Sequence, residues 1–212
     1  MNKKDANNIT KILIDMYPNV DVTLNFKTPF ELLICLILAA QCTDKRVNEV
    51  TKNIFDKYNK PEDFASMDQS KLEELIHPCG FYRNKAKNII KASNQILTKF
   101  NGIVPNNIED LQKIAGIGRK SANCIMSDAF KNPQGVAIDT HAKRICNRLG
   151  FSNKTEPNKI EKDLLELVDK KYWKDLNLLF VTHGRNTCDS RNPRCSDCKL
   201  NKYCNYYITM NK

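Results

Sequence analysis

Three sets of residues in this chain have the types and spacing to do chemistry. The first is Leu111–Ala122, which reads Leu-Gln-Lys-Ile-Ala-Gly-Ile-Gly-Arg-Lys-Ser-Ala. Gly116 and Gly118 interrupt otherwise helical sequence, and glycine lets another molecule's backbone approach closely. A helix, a glycine-paired hairpin and a second helix would aim bare N–H groups at one point, a place for a phosphate. Arg119 and Lys120 add two cations to it. Lys120 reads by default as a solvated charge or a phosphate contact. Near the positive end of a helix, beside Arg119 and partly desolvated by a bound ligand, its neutral amine is favoured, and that is the nucleophile of Schiff-base chemistry.

The second is Asp139, in Val136-Ala137-Ile138-Asp139-Thr140-His141. It precedes a helix and can be read as an N-cap. A carboxylate there could equally take a proton from Lys120 and steady positive charge on a substrate. His141 reads as a brace for local structure.

The third is the tail Cys188-x6-Cys195-x2-Cys198-x5-Cys204. Four closely spaced thiolates ask for a tetrahedral metal centre or a cluster. Spacing alone favours zinc, because four-cysteine zinc sites outnumber clusters. Zinc ribbons, however, usually join two Cys-x2-Cys knuckles from separate places, and a single short loop closing on its own cargo suits a bulkier cubane. The other cysteines among the nine, Cys35, Cys42, Cys79, Cys124 and Cys146, sit among apolar or helical residues and read as small core residues in a reducing compartment.

The elements that must position these groups are all helical. Ile9, Ile12, Leu13 and Met16 give an opening helix one apolar face. Thr28-Pro29-Phe30-Glu31 is a capping box, and the helix that it starts is apolar on every side from Leu32 to Ala40, as a central buried helix would be. Val47, Val50, Ile54 and Phe55 mark the next helix, and Pro61 and Asp68 open two short ones. Arg83–Phe100, Thr140–Leu149, a helix from Pro157 and Trp173–His183 follow. No run alternates as a strand does, so the fold class is all-α with about ten helices.

The hairpin string resembles that of the endonuclease III family of helix-hairpin-helix DNA glycosylases, whose usual form is Leu-Pro-Gly-Val-Gly-Arg-Lys-Thr-Ala. Ile114, Ala115, Ile117 and Ser121 depart from it mildly, and losing proline at Ala115 leaves the turn less pre-set. The string around Asp139 is similar to the family's Val-Asp-Thr-His, and the cysteine spacing matches its 4Fe-4S loop. The resemblance, which runs nearly end to end, implies that Lys120 attacks the sugar C1′ of a damaged nucleotide with Asp139 as second catalytic residue. It moves the metal assignment to a 4Fe-4S cluster on Cys188, Cys195, Cys198 and Cys204, acting as a structural staple. It also implies a two-lobed fold: residues 23–133 form a helical barrel with the hairpin at 107–131, and residues 1–22 pack with 134–212, which carry the cluster loop at 188–204. DNA would lie across the cleft.

Within that family, Gln41 corresponds to the residue filling the space left by an extruded base, and Phe81 to an apolar wedge. Read without the resemblance, these are a helix end and a loop anchor. Arg83, Lys85, Lys87 and Lys91, with no acid from 82 to 91, would grip the flanking backbone, and Gly116, Gly118, Arg119, Arg191 and Arg194 would meet phosphate.

With 34 Lys+Arg against 24 Asp+Glu the chain carries a formal charge of +10, which favours a polyanionic partner. The polar N-terminus lacks the form of a signal peptide, and the longest apolar run falls short of a membrane span, so a cytoplasmic protein is expected, nucleoid-associated if bacterial or archaeal; nothing suggests an oligomer, and a monomer is expected. The expected activity is that of a bifunctional DNA glycosylase and apurinic/apyrimidinic lyase on duplex DNA with oxidised pyrimidines or abasic sites. Lys120 and the stop at Lys212 speak against a mismatch adenine glycosylase, which typically lacks the lysine and carries a further domain. A thymine- or uracil-mismatch glycosylase and a non-catalytic DNA-binding module stay open.

Overall fold

A computed structural model describes residues 1–210, and among them every regular element is a helix. In chain order these are α1 (Lys3–Met16), α2 (Pro29–Ala39), α3 (Asp44–Phe55), α4 (Pro61–Ala65), α5 (Gln69–Ile76), α6 (Tyr82–Phe100), α7 (Ile108–Leu111) and α8 (Arg119–Cys124). They continue as α9 (Thr140–Leu149), α10 (Pro157–Leu167), α11 (Trp173–Asn186) and α12 (Asn205–Met210). The chain divides into two compact units, Val22–Lys131 (the hairpin unit) and Met1–Asp21 with the chain from Asn132 onward (the terminal unit).

The helix starts follow from side chains that take up the first free N–H groups. Thr28 accepts from the Glu31 N–H at 3.1 Å with Pro29 in the first turn, and Glu31 reaches back to the Lys27 N–H. Asn107 accepts from Asp110 N at 2.9 Å and opens α7. α2 is the centre of the hairpin unit: from Phe30 to Leu38 every residue is buried. Around it pack Val47 and Ile54 of α3, Leu72 and Ile76 of α5, and Ala86, Ile89, Ala92 and Ile96 of α6. Truncating one such residue, Leu33 for instance, would cost about 2–5 kcal/mol.

The terminal unit has its own core. Ile9 and Leu13 of α1, Ile145 and Leu149 of α9, Ile160 and Leu164 of α10, and Leu176, Leu179 and Phe180 of α11 bury one another. Cys198, Leu200 and Cys204 close that core from the tail. The second helix of the hairpin, α8, is α-helical only to Cys124, and the chain then widens into a π turn over Ile125–Ala129 in which Phe130 N donates to Ile125 O at 3.2 Å. The tail also carries α12, whose Tyr206 and Tyr207 pack against the core of the terminal unit.

Candidate active site

The hairpin runs from α7 through Gly116 and Gly118 into α8. Its glycines serve different needs. Gly116 has φ +80°, and a Cβ there would lie 3.2 Å from Ile37 Cγ1 and 3.3 Å from Asn88 Cβ, so the turn sits hard against α2 and α6. Gly118 has φ −93°, and a Cβ would meet nothing within 4 Å. Its missing side chain leaves open space at the start of α8, where it is the N-cap without a side-chain cap. Rigidity that proline would supply at position 115 comes from Gln95 of α6. Its Oε1 accepts from Ala115 N at 2.8 Å, and its Nε2 donates to Lys113 O at 3.0 Å. Proline has no N–H to offer Gln95. Lys120 stands exposed in the first turn of α8, one residue after Arg119.

In the same unit, Gln41 follows the end of α2 and Phe81 precedes α6. Both are left-handed, with φ 54° and 47°. Non-glycine residues enter that region at a cost of about 1–2 kcal/mol each. Phe81 is 64% exposed, which for so large an apolar ring is a cost the fold accepts. Arg83 is exposed beside it, its guanidinium 5.4 Å from the Tyr82 ring centroid.

Lys85 corrects the expectation placed on it. It is 5% exposed, and its Nζ donates to Leu38 O at 2.8 Å and Cys79 O at 2.9 Å. It does not grip a DNA backbone. Burial pulls its pKa below the ordinary lysine value, partly offset by the Cys42 and Cys79 thiols. The signal was present in the sequence: Lys85, Ile89, Ala92 and Ile96 share the inward stripe of α6.

Asp139 belongs to the terminal unit, and Lys120 to the hairpin unit. Asp139 caps α9, its Oδ1 accepting from Ala142 N at 2.7 Å, which leaves Oδ2 for other work. His141 Nδ1 lies 3.2 Å from Arg144 Nη2, and Arg144 also reaches the Gly184 and Cys188 carbonyls.

The four tail cysteines line one pocket, walled by Leu149 and Tyr206 among others. Arg148, which the sequence reading passed over, ties the loop to α9. Its guanidinium lies 3.2 Å from Cys188 Sγ, donates to Asp189 O at 2.6 Å and Ser190 O at 2.8 Å, and stacks 4.6 Å from the Tyr206 ring centroid. Burial first, and then neighbouring cysteine charge, push the Cys195, Cys198 and Cys204 thiols above their ordinary value. His183 is buried beside Cys198, its pKa lowered to about 4 by burial and then by Arg144. Arg191 and Arg194 are both exposed on this loop, with the Arg194 guanidinium also donating to Asn186 O.

Residues 34–170 match the HhH-GPD superfamily of base excision DNA repair proteins. The chain is 42% identical to endonuclease III of Synechocystis sp. over 95% of its own length and 92% of the relative's. It is 41% identical to endonuclease III of Bacillus subtilis, over 90% and 87%. A solved non-covalent endonuclease III–DNA complex superposes with a TM-score of 0.91 at 37% identity, covering all of both chains. A trapped endonuclease III–DNA covalent intermediate does so with 0.91 at 36%, again covering both chains in full. Motif, fold and identity over nearly the whole length agree, and the chain belongs to the endonuclease III family within the HhH-GPD superfamily of base excision DNA repair proteins.

Proposed function

We propose that the chain excises oxidised pyrimidines from duplex DNA through a Schiff base on Lys120 and nicks the strand by β-elimination. It is a base excision repair DNA glycosylase and lyase. The observation that carries the reading is an exposed lysine in the first turn of the hairpin's second helix, in a chain that matches a trapped endonuclease III–DNA covalent intermediate over its full length.

The damaged nucleotide leaves the stack so that C1′ can be reached. Lys120 Nζ, as the free amine, forms a bond to C1′ while the glycosidic bond breaks, and its electron pair departs with the base, which takes up a proton. Asp139 Oδ2 accepts the proton that the amine sheds and faces the positive charge growing on the sugar. Opening of the sugar ring gives the imine. Loss of a C2′ proton then expels the 3′ phosphate and leaves a nick. Gly118 offers the phosphate its open approach, Arg119, Arg83, Arg191 and Arg194 supply charge, and Gln41 and Phe81 fill and wedge the emptied stack.

Cys188, Cys195, Cys198 and Cys204 would hold a 4Fe-4S cluster. All four thiols line one pocket, and one short loop carries them, which supports a single shared cargo such as a cubane. When bound, the cluster would fix the loop that presents Arg191 and Arg194. We place the protein in the cytoplasm, as a monomer at the DNA.

The test is an incision panel of duplexes carrying thymine glycol, an abasic site, uracil or a thymine–guanine mismatch. Nicking of the first two is expected. A gel shift without nicking would leave a DNA-binding module, and base loss confined to the mismatch or uracil would leave a mismatch glycosylase.

A further inference from the structure

Among the described residues, Lys85 is the only lysine or arginine buried in a core. Its ammonium accepts that burial to reach two carbonyls far apart in sequence. Leu38 lies in the last turn of α2, three residues before Gln41, and Cys79 ends the short turn two residues before Phe81. The Leu38 carbonyl is one of the four that a helix C-terminus leaves without an intrahelical partner, so it is free to take a side-chain donor. One cation therefore joins the turn that carries Gln41 to the turn that carries Phe81.

Three costs meet at this point. Gln41 and Phe81 are both left-handed, and Lys85 is desolvated with thiols rather than carboxylates beside it. Strained conformations persist only where the surroundings over-determine them, and they gather at functional sites. What the arrangement exposes is Gln41 and the Phe81 ring, both presented in fixed turns. A chain that needed only stability would place an apolar residue at this inward position of α6.

We propose that Lys85 is a positioning residue for base extrusion: its ammonium holds the Gln41 turn and the Phe81 turn in register before DNA arrives. The inference rests on reading Gln41 and Phe81 as the residues that enter the duplex. Binding then need not order two separate loops, and the wedge and the filler advance as one body.

The experiment compares the full chain with Lys85→Met, which keeps the apolar stem and removes the N–H donors, and with Lys85→Arg, which keeps charge and donors. Single-turnover excision of thymine glycol from duplex is read beside borohydride trapping on a single-stranded abasic oligonucleotide, where there is nothing to extrude. Lys85→Met is expected to lose about tenfold or more on duplex, the order of loss that small misplacements cause. Trapping on single strands should stay within about twofold, and Lys85→Arg should recover part of the duplex rate. In a Gln41→Ala/Phe81→Ala background, Lys85→Met should change the duplex rate by less than about twofold, because coupled residues do not add. Equal loss on both substrates, or a full further loss in that background, would overturn the proposal. If Lys85→Met does not melt cooperatively, Lys85→Gln, shorter but with two N–H donors, takes its place. If neither folds, Lys85 holds the core rather than the turns, and the proposal falls. A Gln41→Ala/Phe81→Ala chain that excises at the full rate would instead refute the reading of those two residues, separately from Lys85.

Discussion

Gly116 and Gly118 are two residues apart, yet replacing each by alanine should damage different properties. At Gly116 the backbone is left-handed and the new methyl would press on Ile37 and Asn88. The left-handed region costs alanine about 1–2 kcal/mol and overpacking about 1–3 kcal/mol, so Gly116→Ala should lose about 2–5 kcal/mol of stability. For a chain of this length each kcal/mol moves the melting temperature by about 2–4 °C, giving a fall of about 4–20 °C. At Gly118 the backbone suits any residue and the methyl points into empty space, so Gly118→Ala should cost no more than about 1 kcal/mol, the difference between glycine and alanine as an N-cap. The space is where a phosphate would approach, and a methyl in it should weaken duplex binding at least about tenfold, or ~1.4 kcal/mol. Thermal melting of the free protein and duplex titration at fixed salt separate the two outcomes. A Gly118→Ala protein that melts as low as Gly116→Ala and binds DNA normally would refute the phosphate reading of the hairpin.

Asp139→Asn keeps an N-cap acceptor and should melt near wild type while excision falls about 10²–10⁴-fold; Asp139→Ala should in addition lose about 1 kcal/mol of stability, and single-turnover kinetics beside melting curves check both. Cys198→Ser should lose the brown colour and the absorbance near ~400 nm expected of thiolate-bound iron, and metal analysis should find iron with sulfide in wild type. Stoichiometric zinc in colourless wild-type protein would overturn the cluster. Gln95→Ala removes both hydrogen bonds to the hairpin turn and should cost about 1–3 kcal/mol. Ala115→Pro, which deletes the N–H that Gln95 satisfies, should return part of that loss in the Gln95→Ala background, read by thermal melting.

Local chemistry was the legible part of the chain. Thr28 and Asp139 announced helix starts because an N-cap acts within three residues of itself, and Pro29 and Pro157 fixed first turns in the same way. The all-helical class followed from apolar spacing. What stayed hidden depends on contacts distant in sequence. Lys85 looked like one more cation in a basic run, and only the carbonyls of Leu38 and Cys79 make its burial tolerable. The different needs of Gly116 and Gly118 come from Ile37 and Asn88, which no local pattern links to the hairpin. Gln95 replaces a missing proline from another helix, and Arg148 reaches the cysteine loop across some 40 positions. The left-handed turns at Gln41 and Phe81 run against the preference of both residues, and no local pattern announces them.

The proposed covalent bond to DNA runs through one amine, Lys120 Nζ. Borohydride reduction during incision of an abasic duplex, followed by proteolysis and mass spectrometry of the nucleotide-bearing peptide, tests this directly. The predicted result is a single adduct on Lys120, absent from a Lys120→Ala protein that still binds the duplex. An adduct on the N-terminal amine or on another lysine, or one that survives Lys120→Ala, would contradict it.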